Sequence, residues 1–153
     1  MYTISTSFFL SGITPEKAVD WWLAMENDTY TSWHPAHREW QWHCAGEGAV
    51  ECGDRVAFHE TIGKFDIKVK ARLAELDPSG YIRFDIMGAP SAFSFKYDSE
   101  GNGTRVTYTA EFGFRSLPGR ILDPLIKKLY PPDEYGRAIT EHVKEEHRLI
   151  TGQ

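Results

Sequence analysis

Through the middle of this chain, apolar and polar residues alternate with a period of two. Phe65, Ile67, Val69, Ala71 and Leu73 share one face, and Asp66, Lys68, Lys70 and Arg72 take the other. That is the pattern of an antiparallel strand buried on one side only. It returns in Val106, Tyr108, Ala110 and Phe112. Runs rich in β-branched and aromatic residues predict strands at Tyr2–Leu10 and at about Arg38–Cys44, Arg55–Ile62, Phe65–Leu76, Tyr81–Ile86, Ala92–Tyr97 and Arg105–Phe114. Turn-forming sequences separate them: Gly46-Glu47-Gly48, Gly63-Lys64, Asp77-Pro78-Ser79-Gly80 and Ser99 to Gly103. The period changes to that of a helix near both ends. Thr14-Pro15-Glu16 supplies a hydroxyl N-cap, a proline at the first helical position and an acid in the first turn. This helix carries Ala18, Val19, Trp21, Trp22 and Leu23 and is expected to end near Asn27. A short irregular or helical piece follows to Trp33, where His34-Pro35 breaks it. Beyond Phe114 the chain turns helical again around Ile121–Leu129; Pro131-Pro132 interrupts, and a terminal helix is predicted over Asp133–Ile150.

That last helix is the most informative part of the pattern. Tyr135, Ile139, Val143 and Ile150 share one face. Glu146 falls in the middle of this apolar stripe and His142 at its edge, while Glu141, Lys144, Glu145 and Arg148 point away. A carboxylate on a buried face is costly unless a partner or a metal compensates it. His and Glu one turn apart can grip one ion. A second inward acid comes from a different periodicity: Val56, Phe58 and Ile62 alternate inward, Glu60 lies among them, and His59 takes the opposite face. A third region, Tyr30 to His37, brackets a proline with His34 and His37, either of which would reach an ion held by the others. His43, His59 and His147 are taken as surface residues, and Cys44 as a half-buried free thiol.

The element order is strand, helix, short helix, six strands and a long C-terminal helix. It predicts one α+β domain over 1–153, a curved antiparallel sheet of about seven strands wrapped around the last helix. This resembles the helix-grip fold of the START and Bet v 1 superfamily. The resemblance implies an apolar cavity between sheet and helix, into which His142 and Glu146 would point.

The sequence YTSWHPAH, an inward Glu on a later strand, and HxxxE on the last helix together resemble the 2,4-diacetylphloroglucinol hydrolases, over about Tyr30 to Glu146. Those are zinc enzymes on a Bet v 1-like fold that cleave a carbon–carbon bond between an acyl group and a phenolic ring. Matched motif by motif, the resemblance implies His34, Glu60, His142 and Glu146 as metal ligands, with Zn²⁺ the expected ion and iron, manganese or nickel as other candidates. His37 is then the free imidazole for proton transfer or substrate contact, and Tyr30 a hydrogen-bonding partner of the substrate. Trp40 or Trp42, with Phe58, Phe93, Phe95, Tyr108 and Phe112, would form a ring-rich wall for a small aromatic or polyketide-like ligand. Two features depart from the family: its members carry an additional N-terminal portion, and His37 stands where a polar residue such as Asn is expected. The implied function is metal-dependent hydrolysis of an acylated phenol or related diketone. The alternative is a metal-free small-molecule binder or polyketide cyclase of the same superfamily, and whether Glu60, His142 and Glu146 converge discriminates the two.

Composition narrows this further. The chain has 153 residues, long enough for a substantial core, and 14% of them are aromatic, which suits a ring-lined cavity. A net charge of −5 without a basic stripe excludes nucleic acid as an expected partner. Two cysteines do not make a disulfide framework, so a reduced, cytoplasmic protein is expected. The opening MYTISTSFFLSG has no basic start and reads as a strand rather than a signal peptide, and no apolar run is long enough for a membrane span. Without the N-terminal portion of the longer hydrolases an apolar edge would be exposed, and a homodimer is an expectation on that ground.

Overall fold

A computed structural model describes residues 1–151. The elements follow the predicted order: β1 (Tyr2–Ser11), α1 (Pro15–Leu23), α2 (Asn27–Trp33), β2 (His37–His43), β3 (Arg55–Ile62), β4 (Phe65–Asp77), β5 (Tyr81–Ile86), β6 (Ser91–Glu100) and β7 (Gly103–Phe112). A 3-10 turn at Gly119–Leu122 leads into α3 (Asp123–Leu129) and then α4 (Pro132–Thr151). The seven strands form one antiparallel sheet in the order β1-β7-β6-β5-β4-β3-β2. Strands β2 to β7 are thus a meander, and β1 closes on β7. Helix α4 lies across the concave face, so the helix-grip architecture expected from the element order is the one observed.

Local chemistry accounts for the joints. Thr14 caps α1 as predicted, its hydroxyl accepting the Lys17 amide at 3.3 Å. The helix stops at Leu23, earlier than the sequence suggested, and the short piece after it is a regular helix. Gly63-Lys64 joins β3 to β4 by a two-residue turn in which Gly63 adopts φ +59°, a conformation that costs glycine nothing. At Gly103 a Cβ would lie 2.0 Å from the Leu10 carbonyl oxygen, so only glycine lets β7 approach β1 there.

The core sits between sheet and helices. Val19 and Trp22 of α1, Tyr135, Ile139 and Val143 of α4, and inward strand residues such as Leu73, Phe84, Phe95 and Val106 are all buried. The alternation read in β4 holds, with Asp66, Lys68, Lys70 and Arg72 exposed. Helix α3 lies over one end of the sheet, turning Ile126 inward and leaving Leu117, Ile121 and Leu125 of this region exposed. Among the described residues, no helix is long and apolar enough to cross a membrane.

Candidate metal centre

Four side chains from three elements converge on one point. One donor atom each from His37, Glu60, His142 and Glu146 lies within 4.8 Å of the other three. His37 is 3% exposed, His142 7% and Glu146 3%, while the side chain of Glu60 is partly exposed. Glu60 and His37 are cross-strand partners in the β2–β3 ladder, which sets their side chains next to each other. His142 and Glu146 come from successive turns of α4, with His142 Nε2 and Glu146 Oε2 3.5 Å apart. His37 Nε2 is 3.3 Å from Glu146 Oε2, and His142 Nε2 is 3.3 Å from Glu60 Oε2.

These contacts are close but not hydrogen bonds. The Nε2 atoms of His37 and His142 are buried without a hydrogen-bond partner, so neither ring aims an N–H along a line to a carboxylate oxygen. Both point instead toward the space the four residues share. The tautomer of His37 is fixed: Nδ1 meets the Tyr30 carbonyl oxygen at 3.0 Å, and because that oxygen only accepts, Nδ1 carries the proton. The neutral ring then presents an Nε2 lone pair to the cluster, the second-sphere arrangement found around metal-bound imidazoles. Tyr30 also donates its hydroxyl to Glu60 Oε2 at 2.9 Å and stacks flat on the His37 ring, with centroids 3.8 Å apart. Two orphaned nitrogens and two carboxylates in a largely buried site suit a divalent transition metal, and an N₂O₂ donor set is within the usual choice of zinc.

Without an ion, the same groups balance charge among themselves. Burial drives the Tyr30 phenol well above its ordinary pKa, and the negative charges of Glu60 and Glu146 add to the effect, so it is a donor at neutral pH. Burial alone would lower His142, but Glu60 and Glu146 outweigh it and push it up to about 9. Burial opposes ionisation of Glu146, yet protonated imidazole beside it holds it below the usual carboxylate range.

Sequence and structure differ at one ligand position. His34 was expected in the set, but the donors that converge include His37 in its place. Two physical reasons account for the exchange. The Nδ1 of His34 accepts the Ala36 amide at 3.0 Å, so the neutral ring keeps its proton on Nε2 and has no lone pair there. That Nε2 faces Glu145 Oε2 at 3.3 Å, on the outer side of the cluster. Meanwhile a β-bulge between His37 and Glu39 breaks the alternation of β2. Counting back by twos from the inward Trp40 would turn His37 outward; the extra residue, Arg38, re-aims it onto the inner face. His37 is therefore part of the cluster and not a free imidazole beside it, and Tyr30 meets Glu60 directly.

A cavity of about 270 Å³ extends from this cluster between sheet and α4. Trp40, Phe58, Phe93, Phe95, Tyr108 and Phe112 line it as anticipated; Trp42 does not. Ile86, Pro90, Ile126 and Leu129 line it on the side of α3 and the β5–β6 turn. Polar groups on its wall come from Tyr30, Glu60, His142 and Glu146, three further phenols, Ser91 and the indoles of Trp22 and Trp40.

Two other expectations need correction. His147, taken as a surface residue, is fully buried. Its Nδ1 donates to the Val143 carbonyl at 2.8 Å, and its Nε2 accepts from the Tyr97 hydroxyl at 3.0 Å, which in turn accepts the Trp22 indole N–H at 2.8 Å. The signal was present, since His147 is one turn beyond Val143 on the same stripe. Cys44 is exposed rather than half-buried, and both cysteines are free. His43 is exposed, as predicted, and His59 faces away from the cavity, paired with Asp66.

Comparison with known proteins follows the architecture. A family model described as polyketide cyclase / dehydrase and lipid transport matches residues 1–138. Among solved structures, major latex-like protein 151 from Panax ginseng superposes with a TM-score of 0.62 at 14% identity, over 92% of this chain and 96% of its own. The KanY protein gives a TM-score of 0.70 at 10% identity over 99% and 98% of the two chains. The di-domain ARO/CYC protein BexL from the BE-7585A biosynthetic pathway gives 0.65 at 14% identity, over all of this chain and 48% of its own. At these identities the likeness is one of fold. Curated protein sequences gave no match.

Proposed function

This chain belongs to the polyketide cyclase/dehydrase and lipid transport family, and on that premise we propose that its cavity takes a small aromatic or polyketide-like molecule which a divalent metal, held by His37, Glu60, His142 and Glu146, activates for hydrolysis. The observation that carries this reading is the pair of buried Nε2 atoms aimed, without hydrogen-bond partners, at a space they share with two carboxylates. Burying two acids costs several kcal/mol each without compensation, in the range of about 2–7 even for neutral polar groups. A binder of apolar ligands gains nothing from that expense.

When bound, such an ion acts as a Lewis acid on a ketone or phenol oxygen and makes water more acidic. The remaining chemistry belongs to the chain. Tyr30 holds Glu60 through its hydroxyl and His37 through its carbonyl, so one residue orients two of the four ligands. The aromatic walls exclude water and bury the ring of the ligand. The reaction that suits this environment is hydrolysis of the bond between an acyl carbon and a phenolic ring. Water delivers hydroxyl to the acyl carbon and a proton ends on the ring carbon, giving a carboxylic acid and the deacylated phenol.

A second reading has observations of its own. A protonated His142 between Glu60 and Glu146 is a self-compensated ion cluster that needs no metal, and the family with its cyclase-like fold relative supports a cyclase or a ligand carrier directly. The test is a panel of acylated phenols incubated with metal-loaded and chelator-treated protein, with release of carboxylic acid followed by chromatography. Metal-dependent release supports the hydrolase. Cyclised or unchanged material, the same with and without metal, supports the second reading.

A further inference from the structure

Of the three further phenols in the cavity wall, Tyr130 is half-buried and the other two are buried. Tyr108 on β7 is 4% exposed and Tyr135 on α4 is 6% exposed, and both line the cavity. The hydroxyls of Tyr2, Tyr30 and Tyr97 are engaged with protein atoms. Those of Tyr108 and Tyr135 bond to no protein atom among the described residues, and neither is shut away from accessible space. For side chains so deeply buried, the space they reach is the cavity. A ligand that fills the cavity must supply each of these hydroxyls with a partner, or leave it unpaired at a cost of about 1–3 kcal/mol.

We propose that Tyr108 and Tyr135 are the specificity-determining residues of this cavity, and that they select a ligand with oxygen functions beyond the one at the cluster. The proposal rests on the reading of the cavity as a ligand site with its polar head at the four-residue cluster. Tyr135 precedes His142 by seven residues on α4, two turns, or about 10 Å along the axis. Beside these polar groups the walls are rings and aliphatic chains, among them Phe95 and Ile139. The body of the ligand is therefore apolar and the length of one or two rings, with more than one oxygen. A fatty acid or another single-headed lipid satisfies the cluster and leaves both phenols unpaired. A polyoxygenated aromatic satisfies the cluster and the phenols. Burial and the nearby Glu60 carboxylate keep both phenols protonated, so each arrives as a donor. Discrimination by unpaired buried hydrogen-bonding groups is stronger than discrimination by apolar shape alone.

The experiment measures binding of benzophenone, 4,4′-dihydroxybenzophenone and dodecanoate by equilibrium dialysis. The proteins are wild type, Tyr108→Phe and Tyr135→Phe, each with added Zn²⁺ and again with chelator. The dihydroxy ketone is expected to bind wild type about 10–100-fold more tightly than benzophenone, and each tyrosine variant to cut that preference at least about fivefold. Circular dichroism and thermal melts of the variants establish that they fold. A preference below about twofold in wild type, one that survives both substitutions, or dodecanoate binding as tightly as the dihydroxy ketone overturns the proposal. The chelator arm separates the two readings. A tyrosine-dependent preference that persists unchanged without metal sustains the specificity proposal and removes the metal.

Discussion

Replacing Tyr97 by Phe removes one oxygen atom from the middle of a buried chain. Tyr97 accepts the Trp22 indole N–H at 2.8 Å and donates to His147 Nε2 at 3.0 Å, and all three residues are at most 3% exposed. Through this chain α1, β6 and α4 are tied together one residue away from Glu146, so it helps to fix the rotation of α4 that turns His142 and Glu146 inward. In the variant, Trp22 Nε1 and His147 Nε2 both lose their partner in a site too dry for water to replace it. At about 1–3 kcal/mol for each unsatisfied group, the expected loss is roughly 2–5 kcal/mol. That is a large share of a domain stability of about 5–15 kcal/mol. For a chain of this size it amounts to a fall in Tm of about 5–15 °C. Urea denaturation followed by tryptophan fluorescence measures it, and Tyr97→Phe/His147→Leu in the same series should lose less than the sum of the single changes, because removing both partners spares an orphaned nitrogen. A Tyr97→Phe variant within about 0.5 kcal/mol of wild type would refute the reasoning, because surface substitutions of no structural consequence fall in that range.

Further outcomes follow from the same geometry. Added Zn²⁺ at about 100 times its Kd should stabilise wild type by about 2.7 kcal/mol, or roughly 5–10 °C in Tm; in differential scanning fluorimetry His34→Ala keeps this shift and His37→Ala loses it, whereas equal loss in both would assign the ligand wrongly. Deleting Arg38 removes the bulge of β2 but leaves His37 two positions before the inward Trp40 and opposite Glu60, so calorimetric Zn²⁺ affinity should stay near that of wild type, and a loss as large as in His37→Ala would contradict the bulge account. Asp54 accepts the Ala45 and Glu51 amides at 3.0 and 2.9 Å and is held below the usual carboxylate range by them. Its contribution to stability is therefore complete above the unfolded carboxylate pKa of about 4 and is lost as pH falls through its lower folded value. Thermal melts between pH 6 and pH 3 should show a shallower acid limb for Asp54→Asn than for wild type, and parallel limbs would contradict this.

Much of this architecture is written in local periodicity. The alternation of β4 and β7, the Thr14-Pro15 helix start and the Gly63-Lys64 turn are each decided by residues a few positions apart, and each is where the sequence puts it. The inward positions of Glu60, His142 and Glu146 are legible for the same reason, since a charged residue inside an apolar stripe stands out against the period. His37 is not legible, because its direction depends on a bulge whose extra residue, Arg38, carries no mark of its own in the sequence. The tautomer of His34 hides in the same way: it is set by the Ala36 amide, and only the folded backbone brings the two together. His147 was misplaced for a different reason. A histidine on a helix is usually solvated, and its burial rests on Tyr97, fifty residues away in sequence.

The most direct test is metal content, measured by plasma mass spectrometry on protein purified without a His tag, wild type beside His142→Ala/Glu146→Ala. About one equivalent of zinc or another divalent transition metal per chain, absent from the double variant, is the predicted result. A wild-type protein that is metal-free and takes up none from added Zn²⁺ contradicts the metal centre and leaves a binder or cyclase of aromatic ligands.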